Sequence, residues 1–388
     1  MKILLYGECS ALGSGAWCYA ETLRELGHEV CTYSDYSNVE VYQSSFAAKA
    51  YRKIARQLWE PHRRRHVRGL VELAERERPH IVIILKGLHI GPADVIQLKR
   101  TGAWTVVINH DDFFTQNPNN CSKLQRAAIA EYDFVFTTRE VNVEELRPFN
   151  CRVEFFPFAY YPRIHRPLRF AESERELWDV DVVFVGTWEK QRGEQLEELV
   201  RLVPAKYSIW GTQWEKVKRG SPLTRFLHHR PIIMDEMAKA IGGAKVALAF
   251  LRKENRDDYT QRTFEIPACN GVLLAERTRR HVQFYNEGTE AEFFEADSNG
   301  ELVEKVSLLL ADKGRRERLR GAGRAVLLRQ RHTYKDRLTR LLEIYASDSR
   351  CTSDIATDVP EQSQVCDAAV PSETAVKVSA NQRGRASF

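Results

Sequence analysis

Three stretches of this chain combine residue types that do chemistry. The first is Gly7-Glu8-Cys9-Ser10-Ala11-Leu12-Gly13-Ser14-Gly15, directly after the apolar run Ile3–Tyr6. A glycine-rich turn between a strand and a helix lets main-chain amides approach a phosphate or a hydroxyl-rich ligand at a positive helix end. Gly13, Ser14 and Gly15 are the candidates there, against the plainer reading of a tight turn. The stretch lacks the Gly-Lys-Ser/Thr ending of a P-loop and a clean G-x-G-x-x-G. No acidic residue cleanly ends the second strand, so a nicotinamide or flavin enzyme is disfavoured.

The second stretch is Asn109-His110-Asp111-Asp112-Phe113-Phe114, after the strand-like 104–109. His110, Asp111 and Asp112 could supply a general base or bind hydroxyls; alternatively, Asp111 or Asp112 caps a short helical turn. The third and longest stretch runs from Leu251 to Gly271. Within it Arg262 and Glu265 stand three residues apart, on one helix face. A guanidinium beside a helix N-terminus suits a diphosphate, and a carboxylate one turn on suits a pair of hydroxyls; a surface salt bridge is the bland alternative.

The elements that must position these stretches follow from hydrophobic periodicity. Strand patterns at 2–6, 29–33, 80–85, 104–109, 133–137 and 152–156 alternate with helical ones at 14–26, 46–59, 63–77, 92–100 and 121–131. A second series has strands at 180–185, 206–210, 230–233, 244–250, 271–275 and 291–294, with helices at 190–202, 299–310 and 312–329. Val/Ile-rich strands separated by helices predict parallel sheets covered on both faces, and two such series predict two doubly wound α/β domains. All three chemical stretches then fall at carboxyl ends of strands, where such sheets bind ligands. Pro157, Pro162 and Pro167 mark a linker within 157–178. An amphipathic helix is expected over 333–346, and 347–388 reads as a disordered tail.

The 388 residues suit two domains and a sizeable core without disulfides or a structural metal. Eight scattered cysteines form no C-x-x-C pair and read as reduced. No apolar stretch nears the length of a membrane span, and the start does not resemble a signal peptide, so a cytoplasmic location is expected. The net charge of +5 conceals two basic segments, 51–70 at +6 and 311–340 at +8. They suit phosphates, an anionic membrane surface or nucleic acid, or are solvated helix faces. No aromatic-interleaved groove motif supports nucleic acid, and no ligand cluster supports a metal.

The second half resembles the CgeB-like (spore maturation protein type) branch of the group 1 glycosyltransferases. The resemblance is carried by Arg262-Thr263-Phe264-Glu265-Ile266-Pro267-Ala268-Cys269 followed by Gly271. Phe184-Val185-Gly186-Thr187-Trp188, Ala275-Glu276-Arg277-Thr278 with His281, and Glu287–Phe294 add to it. It covers about 180–345 and implies an α/β GT-B fold, two Rossmann-like domains facing a central cleft. The expected domains are 1–165 for the acceptor side and 166–332 for the nucleotide-sugar donor, with 333–346 packing back on the first.

By position, the resemblance implies that Glu265 binds the nucleotide ribose and Arg262 the diphosphate. Gly186 and Arg192 flank the donor, Trp210 lines the base pocket, and Thr260 joins the donor set. Asp257 stands eight residues before Glu265, the interval of the E-x7-E motif of related retaining enzymes, with Asp in place of Glu. Asn270 stands where the family often has Gly. The expected activity is transfer of a sugar from a nucleotide-diphosphate donor to a glycan, lipid-linked or small-molecule acceptor, without a metal or cofactor. The alternative is a catalytically degenerate binding protein of the same fold in a glycan-assembly complex.

Overall fold

The computed structural model describes residues 1–35 and 56–355. In the first half, β1 (Lys2–Tyr6), β2 (Glu29–Tyr33), β3 (Ile81–Leu85), β4 (Trp104–Asn109), β5 (Phe134–Thr137) and β6 (Val153–Phe155) form one sheet. Its order is β2-β1-β3-β4-β5-β6, and every pairing is parallel. In the second half, β7 (Val182–Val185), β8 (Tyr207–Trp210), β9 (Val246–Ala249), β10 (Leu273–Glu276) and β11 (Glu292–Phe294) form a second sheet, also parallel, in the order β11-β10-β9-β7-β8. Ile81–Leu85 is buried throughout, as a strand covered by helices on both faces must be. Each sheet reverses its strand order once, at β1/β3 and at β7/β9, and the crevice beyond those carboxyl ends is where ligands enter such sheets.

The expected strands match those formed, with one exception. Residues 230–233 make no strand: the main chain touches β8 through Gly211 N–H to Arg230 O (2.9 Å) and an isolated bridge between Ile209 and Leu227. Pro231 has no N–H for a ladder, which explains the loss. The helical pattern at 121–131 resolves into Lys123–Ala127 and a 3₁₀ turn at Ile129–Glu131. Most of the helical pattern at 46–59 lies outside the described residues. Its end merges with 63–77 in a single helix, Arg56–Glu77.

The linker does more than span. Tyr160 N–H donates to His332 O (3.0 Å) and Tyr334 N–H to Tyr160 O (3.2 Å), so the chain leaving the first half is bonded to the chain returning to it. In the returning helix, Tyr334–Ile355, Leu338 and Leu341 are buried. The Tyr334 ring meets Tyr19 edge-on at 4.9 Å, and Arg340 pairs with Glu154 of β6 (2.8 and 2.9 Å). The start of the last helix, up to Glu343, thus packs on the first sheet's half. Met1–Glu343 form one unit and Ile344–Phe388 a second. The helix runs past 346 through Ile355, because no Gly or Pro stops it there. The rest of the segment read as a tail, 356–388, lies outside the described residues.

Two turn positions need their residues. Asn270 has φ of 62°, the left-handed conformation that Asn tolerates in place of Gly. Gly211 has φ of 139°, and a Cβ there would lie 2.0 Å from the Gly186 carbonyl oxygen. Gly211→Ala must therefore separate the ends of β7 and β8. A loss of about 3 kcal/mol is expected in urea unfolding, whereas Gly220→Ala, also at positive φ but with open space around it, should cost about 1 kcal/mol.

Candidate active site in the cleft

Strand alignment brings the three chemical stretches together. Lys86 N–H donates to Ile108 O (2.8 Å), and Asn109 of β4 stands opposite Thr137 of β5. The residues just beyond β1, β3, β4 and β5 therefore lie side by side at one sheet edge, facing the ends of β7 and β9 across a cavity of about 510 Å³. Ser14, Gly15, His110 and Asp111 line it from the first half. Gly186, Arg192, Asp257, Thr260 and Arg262 line it from the second. An adjoining cavity of about 570 Å³ shares Thr187, Arg192, Phe250 and Arg252 and adds Glu276.

The glycine-rich turn is anchored by Ser14, which caps the helix Gly15–Glu25: its Oγ accepts from Trp17 N–H (3.1 Å) and donates to Glu8 O (2.9 Å). Gly13 stands off the cavity, beside Met234.

The three adjacent polar residues after β4 separate sharply. His110 is clamped between the rings of Tyr19 and Phe158, each centroid 5.7 Å away, with Tyr19 Oη 3.1 Å from Nε2. Burial pushes its pKa down to about 4, and the adjacent Asp111 does not offset this, so the ring is neutral at pH 7. Asp111 faces the cavity with Oδ2 2.7 Å from Lys86 Nζ. Asp112 turns away. It is 1% exposed, paired with Arg256 at 2.5 and 2.8 Å, and does not line the cavity. Burial alone would raise its pKa; the hydrogen bonds from Arg256, Phe114 N–H and Asn142 overcome that and hold it low. The expectation that Asp112 shares the base role is corrected accordingly: its carboxylate joins the two halves.

The donor-side candidates divide too. Arg262 lines the cavity, donates from Nε to Val185 O (3.0 Å) and pairs with Glu265. Glu265 lies behind it, 6% exposed, with His165 Nε2 3.4 Å away, and does not itself line the cavity. Arg192 is buried, donates to Thr187 O, and its Nε has no partner among the described residues. Thr260 Oγ1 accepts from Arg262 N–H (3.2 Å), turning the start of the helix Arg262–Ala268. Trp210 does not line the cavity. Its indole stacks on His228 at 3.6 Å and on Trp178 at 5.6 Å, and donates to Ser208 Oγ (2.7 Å). Strand alternation sends it into the core, which corrects the base-pocket expectation.

The Asp257 side chain is 5% exposed and ion-paired with Arg139 of the first half. Burial raises its pKa to about 6; Arg139 opposes the rise without cancelling it. Glu276, at the end of β10, is likewise raised to about 6 by burial while accepting Leu251 N–H (3.0 Å).

Sequence reasoning missed Lys86, Arg139 and Asn255, which bind these groups. Lys86 and Arg139 do carry a signal, since each follows the last residues of a buried strand, where ligand-facing groups fall. Four of the eleven cations of the basic segment 311–340 are used inside the fold. Arg315 pairs with Glu292, Arg316 donates to Leu309 O and Leu310 O, Arg320 to Ala244 O, and Arg337 to Pro157 O and Phe158 O. In the other basic segment Arg63 is buried against Asp94 (3.0 Å), and Arg64, Arg65 and Arg68 are exposed.

Two parallel-sheet halves facing across a cleft, with the last helix returning to the first half, define the GT-B fold. A family model described as "Glycosyl transferase-like" matches residues 190–343. No curated protein matches the chain. Among solved structures, the chain resembles sucrose-phosphate synthase from Thermosynechococcus elongatus (TM-score 0.65, 12% identity), covering 90% of this chain and 100% of that one. It resembles Anabaena Alr3699/HepE, solved in complex with UDP-glucose (TM-score 0.63, 12% identity, 89% and 100% covered). It also resembles the N-terminal domain of Candida albicans trehalose-6-phosphate phosphatase (TM-score 0.66, 11% identity, 90% and 97% covered). At these identities the likeness is one of fold. No helix among the described residues is long and apolar enough to cross a membrane.

Proposed function

We propose that the protein is a glycosyltransferase of the CgeB-like type. It moves a sugar from a nucleotide-diphosphate donor to a hydroxyl of a glycan, lipid-linked or small-molecule acceptor in the cytoplasm. The observation that carries this reading is the set of charged groups that line the cleft. Three guanidinium groups, Arg192, Arg252 and Arg262, line its donor side, and an anchored carboxylate, Asp111, faces them from the acceptor side.

The chemistry asks for little more. The anomeric carbon leaves a phosphate oxygen, whose negative charge grows as the bond breaks, and fixed cations lower that barrier without a metal. Arg262 and Arg192 face the diphosphate, Gly186 lets it approach the main chain, and Glu265, off the cavity, holds the Arg262 guanidinium from behind. Asp257 and Thr260 face the transferred sugar. On the acceptor side the hydroxyl gives its proton to Asp111 as its oxygen bonds to the anomeric carbon. Asp111 suits this better than its neighbours, because Asp112 is committed to Arg256 and burial makes His110 a weak base. His110, stacked and neutral, shapes the acceptor floor.

Isothermal titration with UDP, GDP and ADP and their glucose conjugates tests this reading. One nucleotide series should bind, and Arg262→Ala should weaken it about 30-fold, roughly 2 kcal/mol for a charge-assisted phosphate contact. Absence of binding across the series, or equal affinity in the variant, would sink the donor assignment.

A further inference from the structure

Asn255 sits where the two halves meet at the cavity, and every polar atom of it is engaged. Its Oδ1 accepts Asp112 N–H (2.9 Å), with Asn120 Nδ2 at 3.5 Å from the same oxygen. That contact orients the amide: with its oxygen on a main-chain donor, its nitrogen must face the other way. Nδ2 donates to Asp111 Oδ1 (3.1 Å) and to Asp257 Oδ1 (3.1 Å). The Asn255 carbonyl accepts Arg139 Nε (2.6 Å), and its side chain is buried, the residue being 3% exposed. The next residue, Arg256, is in the left-handed region with φ of 47° and reaches back to Asp112 and Glu145.

The turn 252–258 belongs to the donor half, whereas Asp111 belongs to the acceptor half. We infer that Asn255 is a positioning residue that completes the acceptor-side base: its amide holds the Asp111 carboxylate from across the cleft, so that the base is assembled only when the donor half's turn is docked. This rests on the glycosyltransferase reading for what Asp111 does, but not for whether Asn255 holds it. Lys86 holds the other oxygen of the same carboxylate at 2.7 Å, and Arg139, Arg252 and Asp257 line the cavity with it. Asn255 supplies the one neutral donor of this group, and it also bridges Asp111 to Asp257.

Two variants of the full chain separate positioning from folding. Asn255→Asp is isosteric and keeps the acceptor for Asp112 N–H but cannot donate to Asp111; Asn255→Ser removes both contacts without adding a charge. The Asp111 carboxyl carbon shift at pH 7.5 is followed by carbon NMR on protein labelled with 13C-aspartate, with Asp111→Asn supplying the assignment. It should move in both variants, because the contact from Asn255 Nδ2 is lost in each. kcat for transfer from the nucleotide sugar that binds should fall about 10- to 100-fold, part of a general base's share, at unchanged donor affinity. A carboxyl shift unmoved in both variants, or a moved shift with kcat intact, would overturn the role of Asn255. If the unaltered protein turns over no nucleotide sugar, the functional reading fails, and the carboxyl shift still decides whether Asn255 holds Asp111.

Discussion

Arg139→Ala should be the most damaging single substitution at the cleft, destabilising the protein by about 3–5 kcal/mol at pH 7.5, the usual result of deleting one partner of a buried ion pair. Arg139 is 2% exposed and binds two separate segments: His110 O (2.5 Å) after β4, and Asn255 O (2.6 Å) with the Asp257 carboxylate in the turn 252–258. Its loss leaves two carbonyls short of a donor and Asp257 without its countercharge. The cost has a pH signature whose sign follows from Asp257. Burial already raises that carboxyl to about 6 in the folded protein, and removing Arg139 raises it further. A folded-state pKa above the unfolded value of about 3.9 means that the folded protein takes up the proton first. The destabilisation relative to the unaltered protein should therefore be full at pH 7.5 and shrink as pH falls towards 5. Adding Asp257→Asn should recover about 2 kcal/mol at pH 7.5 through the removed charge, and less at pH 5. Urea unfolding at the two pH values checks both. Additive effects with no pH dependence would mean that Arg139 acts only through its carbonyl contacts.

The pairing of Arg139 with Asp257 shows what the sequence could and could not reveal. Local patterns were sufficient where one physical effect dominates. The Val/Ile run 81–85 could only be a buried strand, and Asn270 takes the left-handed turn. Placement at strand ends then carried the location of the cleft, because parallel sheets present their ligands there. What local patterns do not encode is which of several adjacent polar groups turns towards the ligand. Asp111 and Asp112 are chemically identical neighbours, and their fates differ because Arg256, 144 residues away, captures one of them. Trp210 ends a strand just as the ligand-facing residues do, but its register sends it inward onto His228 and Trp178. Basic composition is ambiguous in a related way: Arg315, Arg316 and Arg320 are taken up by carbonyls and a carboxylate elsewhere in the fold, which their spacing does not reveal.

Asp111→Asn should lower kcat for sugar transfer by about 10²–10⁴, the span of general-base contributions, while leaving nucleotide affinity within about twofold. The substitution keeps the shape and one oxygen, which can accept from either Lys86 or Asn255, so the fold and the cleft should survive; what disappears is the charge that accepts the proton. Asp112→Asn tests the neighbouring carboxylate and should act differently. It weakens the contact with Arg256 and lowers stability, with kcat of the folded fraction little changed, because Asp112 lies off the cavity. His110→Gln falls between them: the ring stacked between Tyr19 and Phe158 is lost, so KM for the acceptor should rise more than kcat falls. The three variants therefore separate proton transfer, domain contact and acceptor packing by kcat, unfolding midpoint and KM respectively. A kcat of Asp111→Asn close to that of the unaltered enzyme would assign the proton to the departing phosphate and confine Asp111 to holding the acceptor. In that case the cations Arg192, Arg252 and Arg262 would carry the larger part of the rate, since the charge they neutralise is then the one that also takes the proton.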